Sequence, residues 1–254
     1  MSKVKLPNAQ WQKIFAFLQQ QEGIHLGKEA VRRQFVEAVL WILRSGAPWR
    51  LLPAENGRWN AVYRRFRRWG RYRLWEKMRA WFSDDAEVNT LMGDSTVVRA
   101  PACAAGAPAP GQALPPHQAL GRSRGGFSTK IHFLVDGLGK PLRALLTPGQ
   151  AADSPQVPLL FDQFSPSMAI LDKAYDTDAV LAFLESQGAI PVIPPKANRV
   201  VQRDYDRQLY KERNRIERFI GKIKPFRRIF SRFDQYARTY LHFIHFACAL
   251  IWLR

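Results

Sequence analysis

Apolar positions in the first 82 residues recur at helical spacing. Trp11, Ile14, Phe15 and Leu18 form one stripe, with Asn8 placed to act as its N-cap. Val31, Phe35, Val39 and Ile42 form a second, which stops at the helix-ending run Ser45-Gly46-Ala47-Pro48. Trp59, Val62, Tyr63, Phe66 and Trp69 make a third stripe, and Leu74, Trp75, Met78 and Trp81 a fourth. The pattern predicts an all-helical domain over 1–82. Seven of the eight tryptophans fall inside it, so the composition shift puts a boundary near Ser83-Asp84-Asp85.

Beyond residue 88 the period changes to that of strands. Leu91 to Val98 reads as a first strand. Residues 100–126 then hold 8 Ala, 5 Pro and 5 Gly in 27 positions, a composition that builds no core and predicts a flexible loop. Ser128 to Val135 alternates apolar and polar positions, turns at Asp136-Gly137-Leu138-Gly139, and returns through Pro141 to Thr147 as a hairpin. Next come a helix from Ser154, a strand at Met168 to Leu171 that ends on Asp172, and a helix from Asp178 to Gln187. A strand at Ile190 to Ile193 follows, then a helix from Gln208 to Lys224 closed by Pro225, and a last apolar helix from Asp234 to Leu253. The order gives a mixed α/β (α+β) layout over 88–254.

Charge changes the picture. The chain of 254 residues has 39 Lys+Arg against 21 Asp+Glu, a formal net charge of +18. Residues 1–82 carry 17 cations and 5 acids, and residues 203–254 carry 13 and 5, so two basic blocks flank a nearly neutral middle. Arg64, Arg65, Arg67 and Arg68 interleave with the aromatics of the third helix, with Glu76 the only acid between Arg58 and Arg79. That is the pattern of a helix-turn-helix-like element gripping nucleic-acid phosphates, and these four arginines are candidate DNA contacts. Two cysteines, Cys103 and Cys248, make no disulfide framework and no zinc cluster, which fits a reducing, cytoplasmic setting. The opening residues carry no signal peptide, and the apolar run Tyr240–Leu253 is too short and, with His242 and His245, too polar to span a bilayer.

Three acids stand out. Asp94 lies inside a strand among apolar neighbours, where a carboxylate is costly without a cation or partner. Asp172 ends a strand, at the edge where open α/β sheets place their sites. Glu217 lies on the late helix within about 60° of Tyr210, Arg213 and Lys224, at about 100° per residue. Carboxylates converging from separate elements suit Mg²⁺. The bland alternative is an i,i+4 surface pair between Arg213 and Glu217, worth a few tenths of a kcal/mol. Asp136, at a hairpin turn, and Asp176 and Asp178, read as helix-capping residues, are left out of the set.

The spacing Tyr210-x2-Arg213-x3-Glu217-x6-Lys224 resembles the signature of the DDE transposases of bacterial insertion sequences. Gly93-Asp94-Ser95-Thr96, Gly121-Arg122-Ser123-Arg124-Gly125-Gly126, Leu145-x-Thr147-Pro148-Gly149-Gln150 and Asp172-Lys173-Ala174-Tyr175-Asp176 are similar to other segments of that family. So is Trp41 to Arg50, and together the segments resemble the insertion-sequence-five branch over nearly the whole chain. The resemblance implies a ribonuclease H-like mixed sheet with flanking helices, preceded by the helical domain. It implies Asp94, Asp172 and Glu217 as a metal-binding catalytic triad, with Tyr210, Arg213 and Lys224 contacting DNA near the scissile phosphate. It further implies two Mg²⁺ (or Mn²⁺) ions per site, and a transposase that cuts its element's ends and joins them to target DNA. Its partners would be double-stranded DNA, terminal inverted repeats and target, held by a homodimer; its place would be the bacterial cytoplasm, at the nucleoid. A metal-dependent nuclease of the same fold and a catalytically dead DNA-binding repressor are the alternatives.

Overall fold

A computed structural model of the chain describes residues 4–23, 27–105 and 118–254. Four helices come first: α1 (Asn8–Gln19), α2 (Glu29–Ser45), α3 (Trp59–Arg71) and α4 (Leu74–Phe82). Asn8 is the first helical residue and not the cap; Pro7 occupies the cap position, and the Asn8 side chain accepts from Arg33 instead. Helix α2 ends at Gly46 in the left-handed region (φ 69°), whose N–H donates to the Ile42 carbonyl.

The second part is a six-stranded mixed sheet. Strand β1 (Thr90–Ala100) pairs antiparallel with β3 (Gly126–Val135), which pairs antiparallel with β4 (Pro141–Pro148). Within the stretch read as a loop, Gly121–Ser123 forms a short strand, β2, that hairpins onto the start of β3; residues 106–117 lie outside the described residues. On its other side β1 pairs parallel with β5 (Met168–Leu171), which pairs parallel with β6 (Ile190–Val192). Helices α5 (Val157–Phe161) and α6 (Asp178–Ser186) connect these strands. Three antiparallel strands followed by two parallel ones, with helices on both faces, is the ribonuclease H-like arrangement.

The late helix departs from the expected single rod. Helix α7 (Arg207–Tyr210) passes through a tightened 3-10 turn at Lys211–Arg213 into α8 (Asn214–Ile223). Tyr210, Lys211, Arg213 and Asn214 all keep right-handed helical angles, so the axis continues while the residue phase shifts. Helix α8 buries Ile216, Phe219, Ile220 and Ile223, and Phe219 meets Phe133 of β3 edge-on at 5.0 Å. The β3–β4 turn fixes its height: Arg215 donates to the Gly137 carbonyl, and a Cβ at Gly139 (φ +76°) would sit 3.0 Å from the Arg215 carbonyl oxygen.

After a short helix α9 (Arg227–Phe230), α10 (Ala237–Trp252) is buried along most of its length. It joins the two parts, because Phe243 stacks on Phe66 at 4.5 Å and Phe246 meets Trp75 at 5.1 Å. One continuous core thus runs from Trp11 through Phe66 and Phe243 to Ile131 of the sheet. A buried ion pair between Arg228 and Asp234 (2.9 and 2.8 Å) also reaches the Ala47 carbonyl (3.1 Å), tying the end of α2 to the segment before α10.

Candidate active site

Strand register brings the first two acids together. Gly93 of β1 lies opposite Leu171 of β5, so Asp94 and Asp172 each follow a paired residue at the same level of two neighbouring parallel strands. Asp94 lies opposite Phe133, the residue against which Phe219 of α8 packs, so it shares the sheet face that α8 covers. Asp172 also opens a short turn, its Oδ1 accepting from the Ala174 N–H at 2.6 Å.

Arg213 unites the three carboxylates. Its Nη2 lies 2.6 Å from Asp94 Oδ2 and 3.9 Å from Asp172 Oδ2, while Nη1 lies 2.5 Å from Glu217 Oε1. The i,i+4 pair of the bland reading is present, and the same guanidinium spans 119 residues to reach Asp94 as well. A surface pair does not do that. Burial pushes the Asp94 carboxyl above the usual carboxylate range, against the pull of Arg213 and of the Ser95 N–H. Side-chain exposure at Asp94 is 14%, at Asp172 30% and at Glu217 58%, so the cluster opens to solvent on the α8 side.

Tyr210 is half-buried against Tyr205 (5.6 Å, 84°). Burial, with lesser contributions from Asp172 and Asp94, raises its phenol pKa and keeps it a neutral hydrogen-bonding group. Lys224 stands exposed at the end of α8. Two neighbours carried no role on sequence grounds. Tyr175 is buried beneath the cluster, its pKa raised by burial and by Asp153, Asp94 and Asp172. Its signal was its place in Asp172-Lys173-Ala174-Tyr175-Asp176. Asp176 is not a helix cap: Thr177 caps α6, and the buried Asp176 carboxylate takes the Lys196 N–H (2.8 Å), Arg199 (3.1 Å) and Arg203 (2.6 Å). Burial opposes its ionisation, yet these donors hold it below the usual carboxylate range. Asp178 pairs with Arg199 at 2.6 Å, and Asp136 serves its own turn by accepting from Leu138 and Lys140.

Two known families match successive stretches of the chain. Residues 91–252 match the family described as "Transposase DDE domain", and residues 6–79 match "Putative transposase of IS4/5 family". The chain belongs to the DDE transposase family. It is 40% identical over 130 residues, half of this chain and all of the relative, to "Putative transposase for insertion sequence element IS6501" of Brucella ovis. It is 39% identical over 102 residues, 40% of this chain and 82% of the relative, to "Uncharacterized protein y4sN" of Sinorhizobium fredii. A solved structure, "Crystal structure of a pre-cleavage Mos1 transpososome", aligns over 98% of this chain and 99% of its own at 12% identity and a TM-score of 0.27, too distant to carry an argument. The protein is therefore a transposase of an insertion sequence element, an enzyme whose family acts on DNA.

The transposase's N-terminal arginines divide by environment. Arg64 and Arg68 are exposed on α3 and make no ion pair among the described residues. Arg65 turns inward, stacked over Phe35 (4.5 Å) and Trp69 (5.5 Å), and burial lowers its pKa to about 10. Arg67 is half-buried between Tyr63 and Tyr236, each 5.8 Å away. In this transposase no helix is long and apolar enough to cross a membrane, among the described residues.

Proposed function

We propose that this transposase binds the ends of its element, cleaves the DNA, and joins the 3′ ends to target DNA through one site built from Asp94, Asp172 and Glu217. The observation that carries this reading is the meeting of the three carboxylates on Arg213, from the interior of β1, the end of the adjacent parallel strand β5 and a helix. Three carboxylates are the hard-oxygen set that suits Mg²⁺ or Mn²⁺. Among the described residues they do not form a ready metal cage, because Arg213 lies between them as their counter-cation. The donor chemistry fits the ions; the guanidinium has to leave for them to bind. Two such ions, held by Asp94, Asp172 and Glu217, would supply charge neutralisation of the attacking and leaving oxygens.

The chain's own groups do the rest. Asp94 and Asp172 each follow the last paired residues of two neighbouring strands, Gly93 and Leu171, which ties their positions together and makes them the rigid half of the site. Glu217 comes from α8, and its exposure lets it adjust. Arg213, once released, would donate to a backbone phosphate next to the scissile one, and Tyr210 and Lys224, along the same helical segment, would do the same. Neither Ser nor Tyr is needed as a covalent nucleophile; a water, and later a DNA 3′-hydroxyl, takes that part. Two ends joined in one event call for a homodimer on terminal inverted repeats.

The test is strand transfer. Incubated with pre-cut element ends, a target plasmid and Mg²⁺, the protein should yield joined products, and with uncut ends it should also nick the donor. Hydrolysis without joining would make it a nuclease of the same fold, and DNA binding with neither reaction would make it a repressor.

A further inference from the structure

A cavity of roughly 660 Å³ opens at the β4 edge of the sheet, between α4, α10 and β4. Across the sheet Arg143 of β4 pairs with Leu134 of β3, and Leu134 with Gly93 of β1. Two strand spacings, about 10 Å, therefore separate the cavity's edge strand from the strand that bears Asp94. The cavity is lined by Arg73, Lys77, Arg79 and Arg143, with Glu76 and Asp162 the acids among them. The acids are engaged, Glu76 with Arg73 at 2.8 Å and Asp162 with Arg143 at 3.6 Å, which holds those two guanidiniums in place. Lys77 is exposed and has no ion-pair partner among the described residues. On the cavity wall His245 is only 7% exposed and its Nδ1 has no hydrogen-bond partner; the buried Nε of Arg79 also lacks one. Two of the three non-glycine residues with positive φ, Arg73 (55°) and Gln163 (68°), line the same cavity, among the described residues.

The surface continues along α10. Arg238, Leu241, His242 and His245 lie at i, i+3, i+4 and i+7, on one helix face. One turn beyond the first cavity is a second hollow of 350 Å³, lined by Arg67, Arg71, Arg238 and His242 and by no acid. From Arg238 to His245 the helix rises about 10 Å. At one phosphate per about 3.4 Å of duplex axis per strand, that length matches about three phosphates. Around the two hollows stand seven cations and two acids.

We propose that this groove, running from α3 past α4 to the β4 edge, is a second DNA-contact surface that seats backbone phosphates of duplex DNA away from the cleavage site. The proposal rests on the transposase reading and deepens it by assigning Arg71, Lys77, Arg143 and Arg238 to DNA. It makes the helical module and the sheet one composite surface, with α10 as its floor.

The experiment is fluorescence anisotropy of a duplex carrying the element end and flanking sequence, titrated with full-length protein across a salt series. Arg71→Gln/Arg238→Gln and Lys77→Gln/Arg143→Gln should each weaken binding about tenfold near physiological salt. Each should also flatten the log–log salt slope by about 1.8, since each phosphate contact contributes about 0.9. Lys77→Gln alone, at an exposed position without an ion-pair partner, should flatten it by about half that amount with unchanged thermal unfolding, which separates contact loss from misfolding. Strong wild-type binding matched by both double variants in affinity and slope would overturn the groove and leave the transposase reading standing. Absence of salt-dependent duplex binding by the wild type would overturn both.

Discussion

Arg213 occupies the position that a divalent cation would contest, because its two terminal nitrogens hold Asp94 and Glu217 while Asp172 lies within 3.9 Å. Replacing it by Gln removes the competing charge and leaves the three carboxylates. Without DNA, Arg213→Gln should therefore bind Mn²⁺ several-fold more tightly than the wild type, as measured by the loss of the free-ion paramagnetic resonance signal. With DNA, strand transfer by the same variant should fall by a factor of about 100 or more, because a phosphate-gripping group is gone. Equal or weaker Mn²⁺ binding would mean that the guanidinium supports the ion's site and does not compete for it. The nearness of Asp94 and Asp172 could be expected from the sequence, since a lone carboxylate in a strand is costly without a partner and the carboxyl end of a strand is where open α/β sheets place their sites. The bridge through Arg213 could not. Helical spacing gives only its i,i+4 neighbour, and the contact to Asp94 depends on how α8 docks across the sheet.

At the scale of elements, α3 is where a sequence pattern and a structure part most usefully. Four arginines between aromatics look equivalent along the chain, yet Arg64 and Arg68 face solvent while Arg65 stacks on Phe35 and Trp69. Arg64→Gln/Arg68→Gln should weaken DNA binding and flatten its salt slope while leaving thermal unfolding unchanged. Arg65→Gln should cost about 1 kcal/mol of stability, the order of a partly desolvated cation–π contact, seen as a lower denaturant midpoint. A reversal, with Arg65 essential to DNA and Arg68 to stability, would show that the outward face of α3 has been misassigned. The four N-terminal helices and the strands β1, β3, β4, β5 and β6 could be read from the apolar pattern because each buries at least one face. Strand β2 could not be read, since three residues amid Gly and Ala carry no period, and the 3-10 turn at Lys211–Arg213 has no sequence signature of its own.

Across the whole molecule, α10 is the element that makes one core of two parts, and it carries a buried imidazole, His245, and a half-buried one, His242. Burial lowers His242 to about 4, and burial together with Arg79 lowers His245 to about 3. His132 of β3, bonded to Thr147 at 2.8 Å, is lowered to about 4 by burial. All three are neutral in the folded protein at neutral pH. Their ordinary value lies near 6.5, so the unfolded chain takes up protons first as pH falls. The stability these groups contribute is complete above about pH 6.5 and is lost progressively down to about pH 4 for His132 and His242 and about pH 3 for His245. Each imidazole held neutral costs about 1.4 kcal/mol for every pH unit in that window. A His245→Gln variant should thus show a shallower fall of melting temperature between pH 7 and pH 4.5 than the wild type; an identical slope would mean that His245 is not held neutral by the core.

The central claim is that one carboxylate set performs both chemical steps, and Glu217 tests it most directly because it is the most exposed of the three. Glu217→Gln keeps the side chain's shape and a neutral oxygen but removes the charge that holds a divalent ion. Pre-cut and uncut element ends should be assayed in Mg²⁺ alongside end binding. Glu217→Gln should bind ends like the wild type, while cleavage and strand transfer both collapse, as with Asp94→Asn and Asp172→Asn. Joining of pre-cut ends by Glu217→Gln at near wild-type rates would contradict the claim.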